Sequence, residues 1–142
     1  MKGQFCFLAV LALLVSGCGE NKFSQCEQIF RIVEGVNQSS NSVSYTNEEE
    51  LTRMKTWLET ASIMDRAANK IQALHVNDSD LIEYQNKLVT VYRIYFQATY
   101  DAVRARENKN LSALESARLD AQKAGKMQQD VIEDLNAYCL NN

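Results

Sequence analysis

No proline occurs among the 142 residues, and after Gly35 the only glycine is Gly125. Proline and glycine are the residues that most reliably interrupt helices, so a chain this poor in both folds most economically as long helices. Apolar residues three and four positions apart support that reading along most of the chain. Four helices are expected, the first three opened by Ser, Thr, Asp or Asn with Glu three residues later, the reciprocal arrangement that satisfies exposed backbone donors. The first starts at Ser24 with Glu27, buries Cys26, Ile29, Phe30, Val33 and Val36, and ends in the polar stretch 37–46. The second runs from Thr46 or Asn47 to about His75, with Met54, Trp57, Ala61, Met64, Ala68 and Ile71 on its seam. The third runs from Asp80, with Glu83, to about Glu107 and carries Leu81, Leu88, Val91, Tyr92, Tyr95, Phe96, Ala98 and Val103. The fourth, from about Asn110 to Tyr138, carries Leu114, Ala117, Ala121, Ala124, Val131, Leu135 and Tyr138.

The near-3.5-residue period of the second helix is that of a left-handed bundle seam. Short connections at 76–79 and 108–110 make antiparallel neighbours the simplest arrangement. The expected fold is therefore all-α, an up-down-up-down four-helix bundle with a short first helix, preceded by a cleaved signal peptide. An even number of helices returns both chain ends to one end of the bundle.

The signal is read from the first seventeen residues. Lys2 precedes the apolar run Phe5 to Val15, and the small residues Ser16 and Gly17 follow. As a helix that run spans only about 16 Å, short of the ~30 Å hydrocarbon core, so it targets the chain and does not cross a bilayer. Val15-Ser16-Gly17-Cys18 resembles the bacterial lipobox. The resemblance implies cleavage before Cys18 and its modification with acyl chains of the palmitate type, enough for stable anchoring. The alternative is an ordinary secretory signal in which Cys18 is incidental. The expected organisation is a lipoprotein signal peptide at 1–17, a lipidated tether at 18–23 and the bundle domain at 24–142. The protein is then anchored to a bacterial membrane and faces the periplasm or a thylakoid lumen.

An exported chain resides where disulfides persist. Cys26 falls in the first turn of the first helix and Cys139 in the last turn of the last, so a Cys26–Cys139 bridge is expected at the end where they meet. Cys6 leaves with the signal and Cys18 carries lipid, which accounts for all four cysteines. The alternative is a pair of free thiols, buried or metal-binding.

Little else in the sequence announces chemistry. The formal charge is −3, and loss of Lys2 with the signal makes it one unit more acidic. That argues against nucleic acid and against electrostatic docking on anionic lipid, both of which want clustered Lys and Arg. Asn37, Asn77 and Asn110 begin N-x-S tripeptides, read here as loop and helix-start composition. His75 is the one histidine, too few for a Ser/His/Asp set or a di-iron site, and is read as a helix C-terminal residue meeting the dipole. Asp78 and Asp80 could join it around a weak cation, but Asp80 is read as a cap. Glu48, Glu49 and Glu50 are read as first-turn acids, and neither metal nor cofactor is expected. Asp65 falls near an apolar seam, where a carboxylate needs a tyrosine hydroxyl or an arginine.

The stretches Gln25-Cys26, 61–74, 80–85, 92–103 and 136–139 resemble a group of small cyanobacterial lipoprotein-like helical proteins of unknown function. The resemblance implies an all-helical domain with paired terminal cysteines and carries no activity. Architecture alone is similar to the lipid-anchored helical subunit on the luminal side of cyanobacterial photosystem II. The expected function is a membrane-anchored, non-enzymatic accessory or interaction module with a membrane-associated protein partner. The alternative is a carrier of a small apolar ligand, a lipid, quinone or pigment, held between the third and fourth helices, with Asp65, Tyr92, Tyr95 and Thr99 at the pocket.

Overall fold

A computed structural model describes residues 21–42 and 50–140, with side chains for 21–40 and 53–140. The described residues form four helices, α1 (Lys22–Ser42), α2 (Glu50–Gln72), α3 (Ser79–Glu107) and α4 (Leu111–Leu140), joined as a four-helix bundle. At 29 and 30 residues, α3 and α4 are each about 44 Å long, while the 21 residues of α1 reach about 31 Å. The long α3 packs along both α2 and α4, and α1 closes the remaining side against α2 and α4. Among the described residues no helix is long and apolar enough to cross a membrane.

The core follows the helical spacing. Cys26, Ile29, Val33 and Val36 of α1, Ala61, Ala68 and Ile71 of α2, Leu81, Leu88, Val91 and Tyr92 of α3, and Val131 and Leu135 of α4 are all buried. Ala98 and Val103 of α3 and Ala117 and Ala124 of α4 are buried as well, while Phe30, Met64, Tyr95 and Tyr138 are half-buried against the core. Among the described residues two buried positions are polar, Gln25 and Gln85, and a reading based on apolar periodicity passes over both.

The element ends depart from the sequence reading, each for a local reason. α1 begins at Lys22 because Asn21, not Ser24, is its cap: Asn21 Oδ1 accepts the Ser24 amide at 2.9 Å. Glu27 pairs instead with Arg31 at 2.7 Å. The stretch 37–42, expected as loop, continues α1 to Ser42. Asn, Gln and Ser are weak helix formers but not breakers, and Gln38 ties back to Glu34 at 3.1 Å. The expected start of α2 at Thr46 or Asn47 lies outside the described residues.

At its far end α2 stops at Gln72, short of His75. Gln85, reaching across from α3, donates its amide to the carbonyls of Ile71 (2.7 Å) and Leu74 (3.0 Å). The Ile71 carbonyl is the one His75 would have used to extend the helix; it accepts instead from the Gln85 side chain and from the Leu74 amide at 3.1 Å, which close α2 together. His75 therefore lies beyond the helix and is exposed, not in a last turn facing the dipole.

Asp78 is the cap of α3, in place of Asp80; its carboxylate accepts the amides of Asp80 and Leu81 at 3.1 and 3.0 Å. Glu83 is left to pair with Lys87 at 2.6 Å. At the opposite end of the bundle α3 closes through Lys109, whose φ of 52° places it in the left-handed region. The amides of Lys109 and Asn110 return to the Arg106 and Ala105 carbonyls, a Schellman closure. Asn110 then caps α4 through the Ala113 amide at 3.0 Å, so one residue closes one helix and opens the next.

Candidate functional site

The first turn of α1, the connection between α2 and α3, and the last turn of α4 meet at one end of the bundle. There Cys26 and Cys139 are joined in a disulfide across 113 residues, with α-carbons 6.1 Å apart. The pairing follows from the topology: α1 and α4 run antiparallel, so the start of one meets the end of the other.

Beside the bridge, the buried Gln25 side chain clamps the α2–α3 connection to α1. Its Oε1 accepts the backbone amides of Asn77 (2.9 Å) and Asp78 (3.3 Å), while its Nε2 donates to Asn77 Oδ1 at 2.7 Å. These bonds satisfy a polar side chain where an unpaired one would be costly. They also place Asp78 for capping.

The Tyr138 hydroxyl adds the α4 contribution, donating to both Asp78 oxygens at 3.0 Å. The Tyr138 ring lies 5.7 Å from that of Tyr84, and the Lys22 ammonium sits 4.2 Å from its centroid. The Leu81 amide, assisted by the Tyr138 hydroxyl, holds the Asp78 carboxyl below the usual aspartate range, against the opposing effect of partial burial. Burial, then the bond to Asp78, pushes the Tyr138 hydroxyl up to about 12. Among the described residues, the most exposed large apolar side chains at this end are Phe23 at 70% and Leu140 at 80% exposure, with Ile82 of the first turn of α3 exposed to a lesser degree.

The other expected site residues fall elsewhere. Cys18 lies outside the described residues, as do Glu48 and Glu49. Tyr92 is fully buried in the core, and its hydroxyl finds no hydrogen-bond partner among the described residues. Burial, with Tyr95 beside it, pushes that hydroxyl up to about 12. Tyr95 is half-buried and faces α4 at Gly125, where a β-carbon would come within 3.1 Å of its hydroxyl. Thr99 donates back to the Tyr95 carbonyl at 2.8 Å. Asp65 is half-exposed on α2 and accepts from Asn69 at 3.3 Å, not from the tyrosine or arginine expected of it.

The surface grooves lie apart from these residues. One of about 330 Å³ between α1 and α2 has Arg31, Arg66 and Lys70 around Ile32, Val36 and Ile63. Another, of about 260 Å³, runs between α3 and α4 beside Lys87, Asp130 and Asp134. Among the described residues no group of three or more His, Cys, Asp and Glu side chains is placed to hold a metal ion.

Taken together, fold and site define an all-α bundle closed at one end by a disulfide and a polar clamp. Comparison with protein families, with curated proteins and with solved structures finds no match to this chain.

Proposed function

We propose that the chain is a bacterial lipoprotein. On this reading residues 1–17 are removed, Cys18 carries the acyl chains, and the bundle is a non-enzymatic accessory module for a membrane-associated protein on the periplasmic or luminal side. The observation that carries the reading is the placement of the lipobox-like Val15-Ser16-Gly17-Cys18 three residues ahead of the Asn21 cap. The domain therefore begins almost at the anchor, and the anchor enters the bundle at its most heavily fastened end. The Cys26–Cys139 bridge supports the same reading, because structural disulfides persist in exported proteins. The resemblance to small cyanobacterial lipoprotein-like helical proteins points the same way.

Intact mass of the protein taken from its native membrane tests the anchor. The expected result is loss of residues 1–17, added acyl mass, and a gain of about two daltons on reducing the bridge. Cys18→Ala is expected to release the protein from the membrane fraction. Recovery of a defined membrane complex after mild cross-linking tests the accessory role, and a monomer under every cross-linking condition would refute it.

A further inference from the structure

We propose that the disulfide-bearing end is the membrane-contacting tip of the protein, with Phe23 and Leu140 entering the interfacial layer of the bilayer that holds the Cys18 acyl chains. The inference rests on the lipoprotein reading and adds an orientation and a contact surface to it.

The tether sets which end can touch the bilayer. From Cys18 to Asn21 is three residues, at most about 11 Å of extended chain. The opposite end of the bundle lies about 44 Å away along α3, so its exposed Leu111 is beyond reach of an upright anchored molecule. At the near end the two most exposed apolar side chains, Phe23 and Leu140, come from opposite termini and are brought together by the bridge, with the less exposed Ile82 of the first turn of α3 at the same end. Phe23 is one helical turn before Cys26, Leu140 is the next residue after Cys139, and the bridged α-carbons are 6.1 Å apart. The α-carbons of Phe23 and Leu140 are therefore within about 15 Å of one another.

Their surroundings suit a membrane interface. Tyr138 presents a ring with a polar tip, and the Lys22 ammonium lies over it. Aromatic and basic residues with apolar stems are those that settle at headgroup level. Two polar side chains at the tip are committed internally, Gln25 to the α2–α3 connection and Asp78 to the α3 amides and Tyr138, while Ser79 and Asp80 are exposed beside them. The occupant is thus a lipid surface close to the anchor, bound through apolar side chains and not through a basic patch.

The test uses the mature, acylated protein reconstituted in phosphatidylethanolamine and phosphatidylglycerol vesicles with brominated acyl chains. The chain has a single tryptophan, Trp57, which lies beside Arg106 toward the far end and reports on that region. Phe23→Trp and Leu140→Trp are made separately in a Trp57→Phe background. Both tip tryptophans are expected to shift their emission to the blue and lose intensity to the brominated chains, while native Trp57 does neither. Unquenched, water-like emission at 23 and 140 in protein that floats with the vesicles overturns the inference and leaves the anchor standing. Quenching of Trp57 equal to that at the tip also overturns it, because the bundle would then lie along the surface. Protein without acyl mass removes the lipoprotein reading itself, and the inference with it.

Discussion

The Tyr138 hydroxyl donates to the Asp78 carboxylate, 3.0 Å from each oxygen, across 60 residues of sequence. That bond ties the last turn of α4 to the residue that starts α3. Asp78 thus serves as helix cap and tertiary fastener together, and the cost of losing it depends on which oxygen contacts the substituted side chain preserves.

Asp78→Ala removes the cap and the Tyr138 acceptor and is expected to cost about 1 to 2 kcal/mol in denaturant unfolding at pH 7. Asp78→Asn keeps a capping oxygen and is expected to cost less. The Asp78 carboxyl titrates below its ordinary value in the folded protein. Its contribution is therefore complete above the unfolded value of about 4 and is lost as pH falls through the lower folded value. Unfolding midpoints measured down from pH 6 are expected to fall more steeply below about pH 4 for the native protein than for Asp78→Asn. Parallel curves would show that Asp78 does not set this limb.

The Cys26–Cys139 bridge closes a loop spanning 113 residues of separation. In the chain-entropy account a loop of this size adds about 4 to 5 kcal/mol by restricting the unfolded chain. Cys26→Ser/Cys139→Ser is expected to lose most of that in equilibrium unfolding while keeping its helical circular dichroism. A loss below about 1 kcal/mol would mean that Gln25 and Tyr138 hold the ends together without the bridge.

Sequence patterning reached the fold because its signals are repeated many times: Ile29, Val33 and Val36, or Ala61, Ala68 and Ile71, each reinforce one face. It reached the cysteine pairing because an even number of antiparallel helices leaves the two ends together. The element ends were not legible, since single long-range contacts decide them. Nothing local favours Asp78 over Asp80 as a cap; the Tyr138 and Gln25 contacts do, from 60 and 53 residues away. Nothing in α2 foretells that Gln85 will take the Ile71 carbonyl and leave His75 outside the helix. Gln25 itself reads as a surface residue until the Asn77 backbone is placed against it.

Gly125 sits in mid-helix, where alanine would ordinarily add about 1 kcal/mol. Here an added methyl would meet the Tyr95 hydroxyl at 3.1 Å, so the hydroxyl must move by a few tenths of an ångström. Gly125→Ala alone is expected to be nearly neutral, whereas in a Tyr95→Phe background it is expected to stabilise by about 1 kcal/mol. A double-mutant cycle by urea unfolding measures the difference. Equal effects in the two backgrounds would show that Tyr95 swings away without cost.

Tyr92 poses the sharpest question about the core. Its ring is fully buried, yet its hydroxyl has no hydrogen-bond partner among the described residues. A buried donor left unpaired costs about 1 to 3 kcal/mol, and phenylalanine fills nearly the same space without it. Tyr92→Phe is therefore expected to raise the unfolding free energy at pH 7 by about 1 kcal/mol. The pH dependence gives a second readout. Burial raises the folded value of Tyr92 to about 12, so its protonated hydroxyl favours the folded state fully below the ordinary tyrosine value of about 10. That contribution is lost as pH rises toward 12. Tyr92→Phe is expected to flatten the alkaline limb accordingly. If the substitution instead destabilises the protein at pH 7, the hydroxyl is engaged in the native state. Extraction of purified native protein with organic solvent then decides whether a small molecule between α3 and α4 is its partner.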